Sequence, residues 1–214
     1  MNNYAFLNND VELNNIIDSI NKVNEDYLLA CHGRYHTTFV INTVERILTG
    51  LKFDNDVIEL GKIAALLHDI GTINGKKGHA HRSSEMCIKF LDKTNLSQAS
   101  KDIIIHAIYD HSNGDDLNSP IGAALLLADK INLSKDRVLE LGKSDNSLSN
   151  FLNVEETILT VRNNDIIINY IANDKFSIEM FVKQWDKVIN VSIKACDYLG
   201  CKCIFQFNGR NISF

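Results

Sequence analysis

Apolar residues recur at helical spacing through the first two thirds of the chain. Over residues 10–29, Val11, Ile16, Ile17, Ile20, Val23 and Tyr27 form one stripe, with Asn9 or Asp10 placed to cap its start. Gly33 breaks that pattern, and a second helix is predicted over 37–51 with Val40, Val44, Ile47 and Leu48 inward. A turn at Gly50 and Phe53-Asp54-Asn55 leads to a third, which carries Ile58, Ile63, Leu66 and Leu67 to the doublet His68-Asp69. Glycines mark a loop over 71–78, and helices follow over 79–91 and, capped by Ser97, over 98–112. Pro120 sits where a helix over 121–131 would start, which suits its fixed φ. Residues 133–150 are polar and read as loop with at most a short helix. The character then changes. Two β-branched runs, 154–161 and 166–171, flank Arg162-Asn163-Asn164-Asp165 and predict a hairpin. A long helix over 175–199 follows, through Phe181, Trp185, Val188, Val191 and Ile193, ended by Gly200. A strand over 201–207 and a turn at Asn208-Gly209-Arg210 close the chain. The pattern predicts a mainly α protein: a helical domain of residues 1–150 and a small β-β-α-β (α+β) subdomain of residues 151–214 packed on it.

Composition narrows the class. At 214 residues and 45% hydrophobic, the chain can bury a sizeable core. A net charge of -5 argues against a general nucleic-acid-binding surface. The five cysteines are odd in number, and Cys201-Lys202-Cys203 has neither zinc-ribbon nor thioredoxin spacing, so free thiols in a reducing compartment are expected. Met1-Asn2-Asn3-Tyr4 does not open a basic-then-apolar leader, and no apolar run reaches membrane-span length. A cytoplasmic protein without membrane or general nucleic-acid partners is expected.

The chemistry gathers at helix ends. The apolar run Ala64-Ala65-Leu66-Leu67 ends in His68-Asp69-Ile70-Gly71. A buried ionised carboxylate is costly unless something positive meets it, and no Lys or Arg lies three or four residues before Asp69 on this run. Two readings therefore stand side by side: a metal site, or a helix end with Asp69 in solvent and Gly71 as cap. His36, His79, His111 and Asp129 also fall at predicted helix ends, from which side chains can converge between bundled helices. Imidazole and carboxylate ligands without thiolates suit one or two divalent ions of Mn, Fe, Co, Ni or Zn in an open site.

His36, the doublet His68-Asp69 and Asp129 in Ala-Asp-Lys resemble the ordered signature of the HD-domain metal-dependent phosphohydrolases, over roughly residues 27–133. The wording around them agrees: Gly33-Arg34-Tyr35-His36-Thr37, Leu-Leu-His-Asp-Ile-Gly and Leu-Ala-Asp-Lys. The resemblance implies an HD-type helical bundle with a metal held by these four residues. A subset of that family adds two histidines and a second metal; here His79, ahead of Ser83-Ser84, and His111 are similar, in preference to His81 and His106. Asp69 would then bridge the ions. The chain lacks the His-His pair and Gly-Tyr-Pro motif of the cyclic-dinucleotide branch, which argues against that substrate.

The expected function is hydrolysis of a small phosphorylated metabolite or nucleotide by metal-activated water, with Asp69 and His68 as the catalytic pair. Arg34 and Lys130 are the expected phosphate contacts, with Arg82 and the loop lysines Lys76 and Lys77 close to proposed ligands; a solvated charged turn explains the loop lysines equally well. Asp110 and Glu85 are candidate partners for the ligand histidines or plain exposed residues. His32, His81 and His106 default to ordinary surface or hydrogen-bonded histidines, with entry into the substrate pocket as the lesser reading for His32, and Trp185 to core packing. The tail either covers the mouth of the site or makes a homodimer. Two rival functions are a di-iron O₂-dependent oxygenase of the same type and a nucleotide-sensing module without catalysis.

Overall fold

Residues 2–26 and 28–212 are described by a computed structural model of the chain. Tyr27, placed on the first apolar stripe above, lies outside them, as does Met1. Two helices open the chain, each capped by a side-chain oxygen: α1 (Asn3–Asn8) by Asn2 and α2 (Val11–Val23) by Asp10. The sequence carries no strong periodic signal for the short α1. Helix α2 stops at Val23 rather than near residue 29, because the buried Asn24 amide turns back to Ile20 O at 2.9 Å and reaches Thr72 O at 3.0 Å. Residues 24–26 turn, and Leu29 to Cys31 then run beside the segment around Val138. Ala30 bridges Val138, Cys31 N–H donates to Arg137 O at 2.7 Å, and Leu139 N–H donates to Leu29 O at 2.9 Å.

This bracket delivers the chain to α3 (Arg34–Gly50), which begins three residues earlier than its apolar pattern suggests and so takes His36 into its first turn. Helix α4 (Asn55–Leu67) ends at His68, and a 3-10 turn (Ile70–Asn74) replaces the start of the expected loop. Gly75 and Gly78, with φ of 99° and 71°, complete the loop in a backbone region that favours glycine. Helices α5 (His79–Met86) and α6 (Ile88–Leu91) divide the single expected helix at Cys87. Helix α7 (Gln98–Asp110) follows the Ser97 cap, and α8 (Pro120–Lys130) starts with Pro120 behind the Ser119 cap. Every residue of α8 from Ile121 to Asp129 is buried. A helix apolar all round belongs at the centre of a bundle, and α8 touches α3, α4, α7 and α10 (Asp186–Tyr198).

The stretch read as polar loop is a string of 3-10 turns, Lys135–Arg137, Glu140–Ser144, Asn146–Leu148 and Phe151–Asn153. Strands β1 (Val154–Arg162) and β2 (Asp165–Ala172) pair antiparallel around Asn163 and Asn164, whose φ values of 51° and 65° make the tight turn that matches strand twist. The expected single helix is two, α9 (Ile178–Gln184) and α10, separated by Trp185. They return the chain to β3 (Lys202–Phe207), parallel to β2, and Asn208-Gly209 turns it into a two-residue β4 (Arg210–Asn211). The sheet order is β1-β2-β3-β4. Its buried face, including Ile166, Ile168, Tyr170, Phe205 and Phe207, packs on Phe181, while α10 lies on α8 and β1 on α3. One hydrophobic core runs from Leu7 to Phe207. Among the described residues no helix is long and apolar enough to cross a membrane.

Candidate metal centre

Five of the six residues expected to ligate converge on one buried point. His36, His68 and Asp69 offer ligand atoms all within 4.8 Å of one another, and so do Asp69, His79 and His111. Asp69 is common to both sets and is 2% exposed. Its Oδ2 faces His68 Nε2 at 3.3 Å and His36 Nε2 at 3.6 Å; its Oδ1 faces His79 Nε2 at 3.2 Å and His111 Nε2 at 3.7 Å. Among the described residues neither oxygen has a hydrogen-bond partner.

The histidine tautomers follow from what each Nδ1 touches. His68 Nδ1 lies 2.7 Å from Ala65 O, His79 Nδ1 2.8 Å from Lys76 O, and His111 Nδ1 2.6 Å from Ile108 O. A carbonyl only accepts, so each Nδ1 carries a proton and each ring, when neutral, turns an Nε2 lone pair inward. For His36 the corresponding neighbour is Asn132 Oδ1 at 2.8 Å. The result is lone pair against lone pair: His79 and His111 Nε2 are 3.1 Å apart, and His36 and His68 Nε2 are 3.4 Å apart. Add an orphaned carboxylate, and the cluster is repulsive without positive charge at its centre. A divalent cation fits this donor set, with the Nδ1 acceptors orienting the rings as outer partners of metal ligands do.

The electrostatics point the same way. Burial drives His36 down to about 4 and lowers His111, so both are neutral near pH 7. His68 moves up, although burial opposes it, because Asp69 and Asp129 favour positive charge there. Burial would raise Asp69, yet the charge on His68 holds it well below the carboxylate range. A negative potential that draws a proton to His68 also draws a cation.

Asp129 stands at the edge of this arrangement. Its Oδ1 is 3.0 Å from His36 Nε2 and its Oδ2 pairs with Lys130, but it is not a member of either three-residue set. Of the expected phosphate contacts, Lys130 and Lys76 line a cavity of about 210 Å³ that opens beside His79 and Asp129. Arg34 is engaged elsewhere, with Nε 2.7 Å from Asp18 Oδ1. Arg82 holds the loop backbone, donating to Gly71 O at 3.1 Å, to Lys77 O at 2.7 Å and to Gly75 O. Asp110 accepts from Asp115 and Asp116 N–H, and Glu85 pairs with the exposed His81 at 3.6 Å, so neither orients a cluster histidine. His106 pairs with Asp116 at 3.1 Å. Lys77 faces a separate cleft of about 700 Å³, which also reaches Lys76 and His79.

Two residues, Arg137 and Asn132, escaped the sequence reading, and a third, His32, takes the lesser of its two expected roles. Arg137, 8% exposed, donates to Cys31 O and Asn132 O and brings Nη2 to 3.4 Å from His36 Nε2 and 4.0 Å from Asp129 Oδ1. Asn132 orients His36. His32 is buried and lines the cavity, its ring 5.9 Å from that of His36 and 6.2 Å from that of His79. The faint signal for Arg137 was an arginine running straight into Val138-Leu139 after the Asp129 helix.

The family model for the HD domain matches residues 33–145, more than half of the chain and every member of this cluster. The chain belongs to the HD domain family. No curated protein matches it. The doublet that gives the HD domain its name is here His68-Asp69, which closes α4 at the meeting point of both ligand sets.

Proposed function

We propose that the protein is a metal-dependent phosphoester hydrolase acting on a small phosphorylated substrate. The observation that carries this reading is Asp69: a buried carboxylate with no hydrogen bond among the described residues, one oxygen turned to each of two histidine pairs. His36, His68 and Asp69 would hold one divalent ion and Asp69, His79 and His111 a second. When bound, such ions supply Lewis-acid charge and a water acidic enough to attack near neutral pH. The chain's own groups do the rest. Arg137 and Lys130 lie where they can take the charge of phosphoryl oxygens. Asp129, whose Oδ1 lies 3.0 Å from the His36 Nε2 lone pair, would join the first ion, while its Oδ2 holds Lys130. The apolar shell of α4 and α8 keeps bulk water from the ligand atoms.

The test is turnover of a panel of phosphomonoesters by the purified chain, before and after chelation. Loss of activity with chelator and its return with Mn²⁺ is the expected result; turnover indifferent to chelator contradicts the reading. A carboxylate shared between two ligand sets also suits a di-iron centre, so dioxygen uptake by the ferrous protein is the outcome that would favour the oxygenase instead.

A further inference from the structure

The cavity beside the cluster has two unlike walls. On one side stand Arg137, Lys130 and Lys76, three cations against the single carboxylate of Asp129. On the other stand Phe151, Trp185 and Val188, contributed by the chain beyond the HD match. Phe151 and Trp185 meet edge to face, with ring centroids 4.8 Å apart and planes at 62°. Trp185 is also the residue at which α9 and α10 part, its φ of -116° and ψ of 18° interrupting the helix and setting the indole against Phe151. Among the described residues its Nε1–H has no hydrogen-bond partner.

We infer that this cavity is a two-part specificity subsite for a compact phosphomonoester of an aromatic alcohol, with Arg137 and Lys130 taking the phosphoryl oxygens and the Phe151–Trp185 wall taking the ring. The inference rests on the phosphoryl chemistry proposed above and extends it to residues that hold no metal. Arg137 is suited to the first task. Its guanidinium is planar, permanently charged and already fixed by two backbone carbonyls, so little freedom is lost when it binds an anion. An excess of two positive charges matches a phosphomonoester dianion. The aromatic pair suits the second task, because a ring offered to its faces and edges gains more than a flexible aliphatic chain of similar size. A space of about 210 Å³ lies below the usual range for drug-sized ligands, which favours one ring over a long polyphosphate or a dinucleotide. The C-terminal segment thereby becomes part of the site rather than a cover for it.

The test uses phenylphosphonate and methylphosphonate, which share a headgroup and differ in the ring. Their P–C bond is not a phosphoester, so binding is read whether or not the protein hydrolyses anything. Calorimetry on the full chain with Mn²⁺ should give phenylphosphonate about fivefold tighter binding, the size of one aromatic contact. Trp185 is the only tryptophan, so its fluorescence should respond to phenylphosphonate far more than to methylphosphonate. Trp185→Leu should make the two probes equal, leaving methylphosphonate binding unchanged. Arg137→Gln should weaken both by about tenfold. If that variant does not fold, Arg137→Lys, which keeps the charge and loses the fork of donors, is read in the same way. Equal binding of the probes by the wild type, a preference that survives Trp185→Leu, or Arg137 variants that bind like the wild type would each overturn the subsite. Probes bound as described by a protein that turns over no phosphoester would instead refute the hydrolase and leave the subsite standing.

Discussion

Gly71 shows how much a single position in this centre decides. It follows the doublet by two residues, and the backbone of α5 crosses directly over it. A Cβ there would lie 2.6 Å from His79 O and 2.8 Å from Arg82 C. Gly71→Ala is therefore expected to cost about 1–3 kcal/mol, as overpacking does, and to shift His79 away from Asp69. Thermal denaturation and metal content check this; a variant with wild-type melting and metal content contradicts it. The doublet and the glycine were legible because they end an apolar run, and His36, His79 and His111 because each falls at a predicted helix end. Arg137 and Asn132 were not, because a polar stretch gives no sign of which members are buried. Burial of Arg137 comes from the carbonyls of Cys31 and Asn132, the first of them more than a hundred residues away in the chain.

At the scale of elements, helix starts were easier to read than helix ends. Asp10, Ser97 and Ser119 each accept a hydrogen bond from a first-turn N–H, as capping chemistry predicts. Asp10 does more than cap. Its hydrogen bonds with Lys93 and Leu13 N–H hold its carboxyl below the ordinary carboxylate range. A lowered folded-state pKa stabilises above the unfolded value and is lost as pH falls through the folded one. Asp10→Ala should thus cost about 1 kcal/mol at pH 7, and the gap to wild type should narrow in acid, below about pH 4. Urea titrations at both pH values check this; a gap that widens in acid contradicts it. The ends misled where periodicity ran past a break. Residues 24–29 kept the α2 stripe while Asn24 turned the backbone away, and Trp185 kept the apolar spacing of one long helix while dividing two. Apolar spacing reports which side is buried, and a kinked pair of helices can bury the same side as a straight one.

For the whole molecule, the change from helical to β-branched patterning near residue 154 was plain in the sequence, but the way the two parts depend on each other was not. Helix α10 covers α8, β1 covers α3, and Val161 Cγ1 would meet a Cβ added to Gly50 at 3.0 Å. Core residues of both parts form one cluster. The chain should therefore unfold in one cooperative transition, seen alike by far-ultraviolet dichroism and Trp185 fluorescence. A fragment ending near Asn153 should lose its compact fold, since it exposes the α8 face and removes the wall of the cavity. Two separated transitions, or a proteolytic fragment of that length that stays folded and active, would contradict this.

Asp69 is the residue on which both ligand sets depend, and the most direct measurement is bound metal per chain in the wild type and in Asp69→Ala, each loaded with Mn²⁺ and freed of excess. Asp69 joins both ligand sets, so its removal takes a ligand and a negative charge from each. The wild type is expected to retain up to two ions and to melt higher when loaded; Asp69→Ala is expected to retain almost none, to show no metal-dependent rise and to lose phosphoester turnover. His79→Ala and His111→Ala should each fall toward one ion, which separates the two halves of the site. If Asp69→Ala keeps wild-type metal content and turnover, the centre described here is not the metal site and the hydrolase reading falls with it.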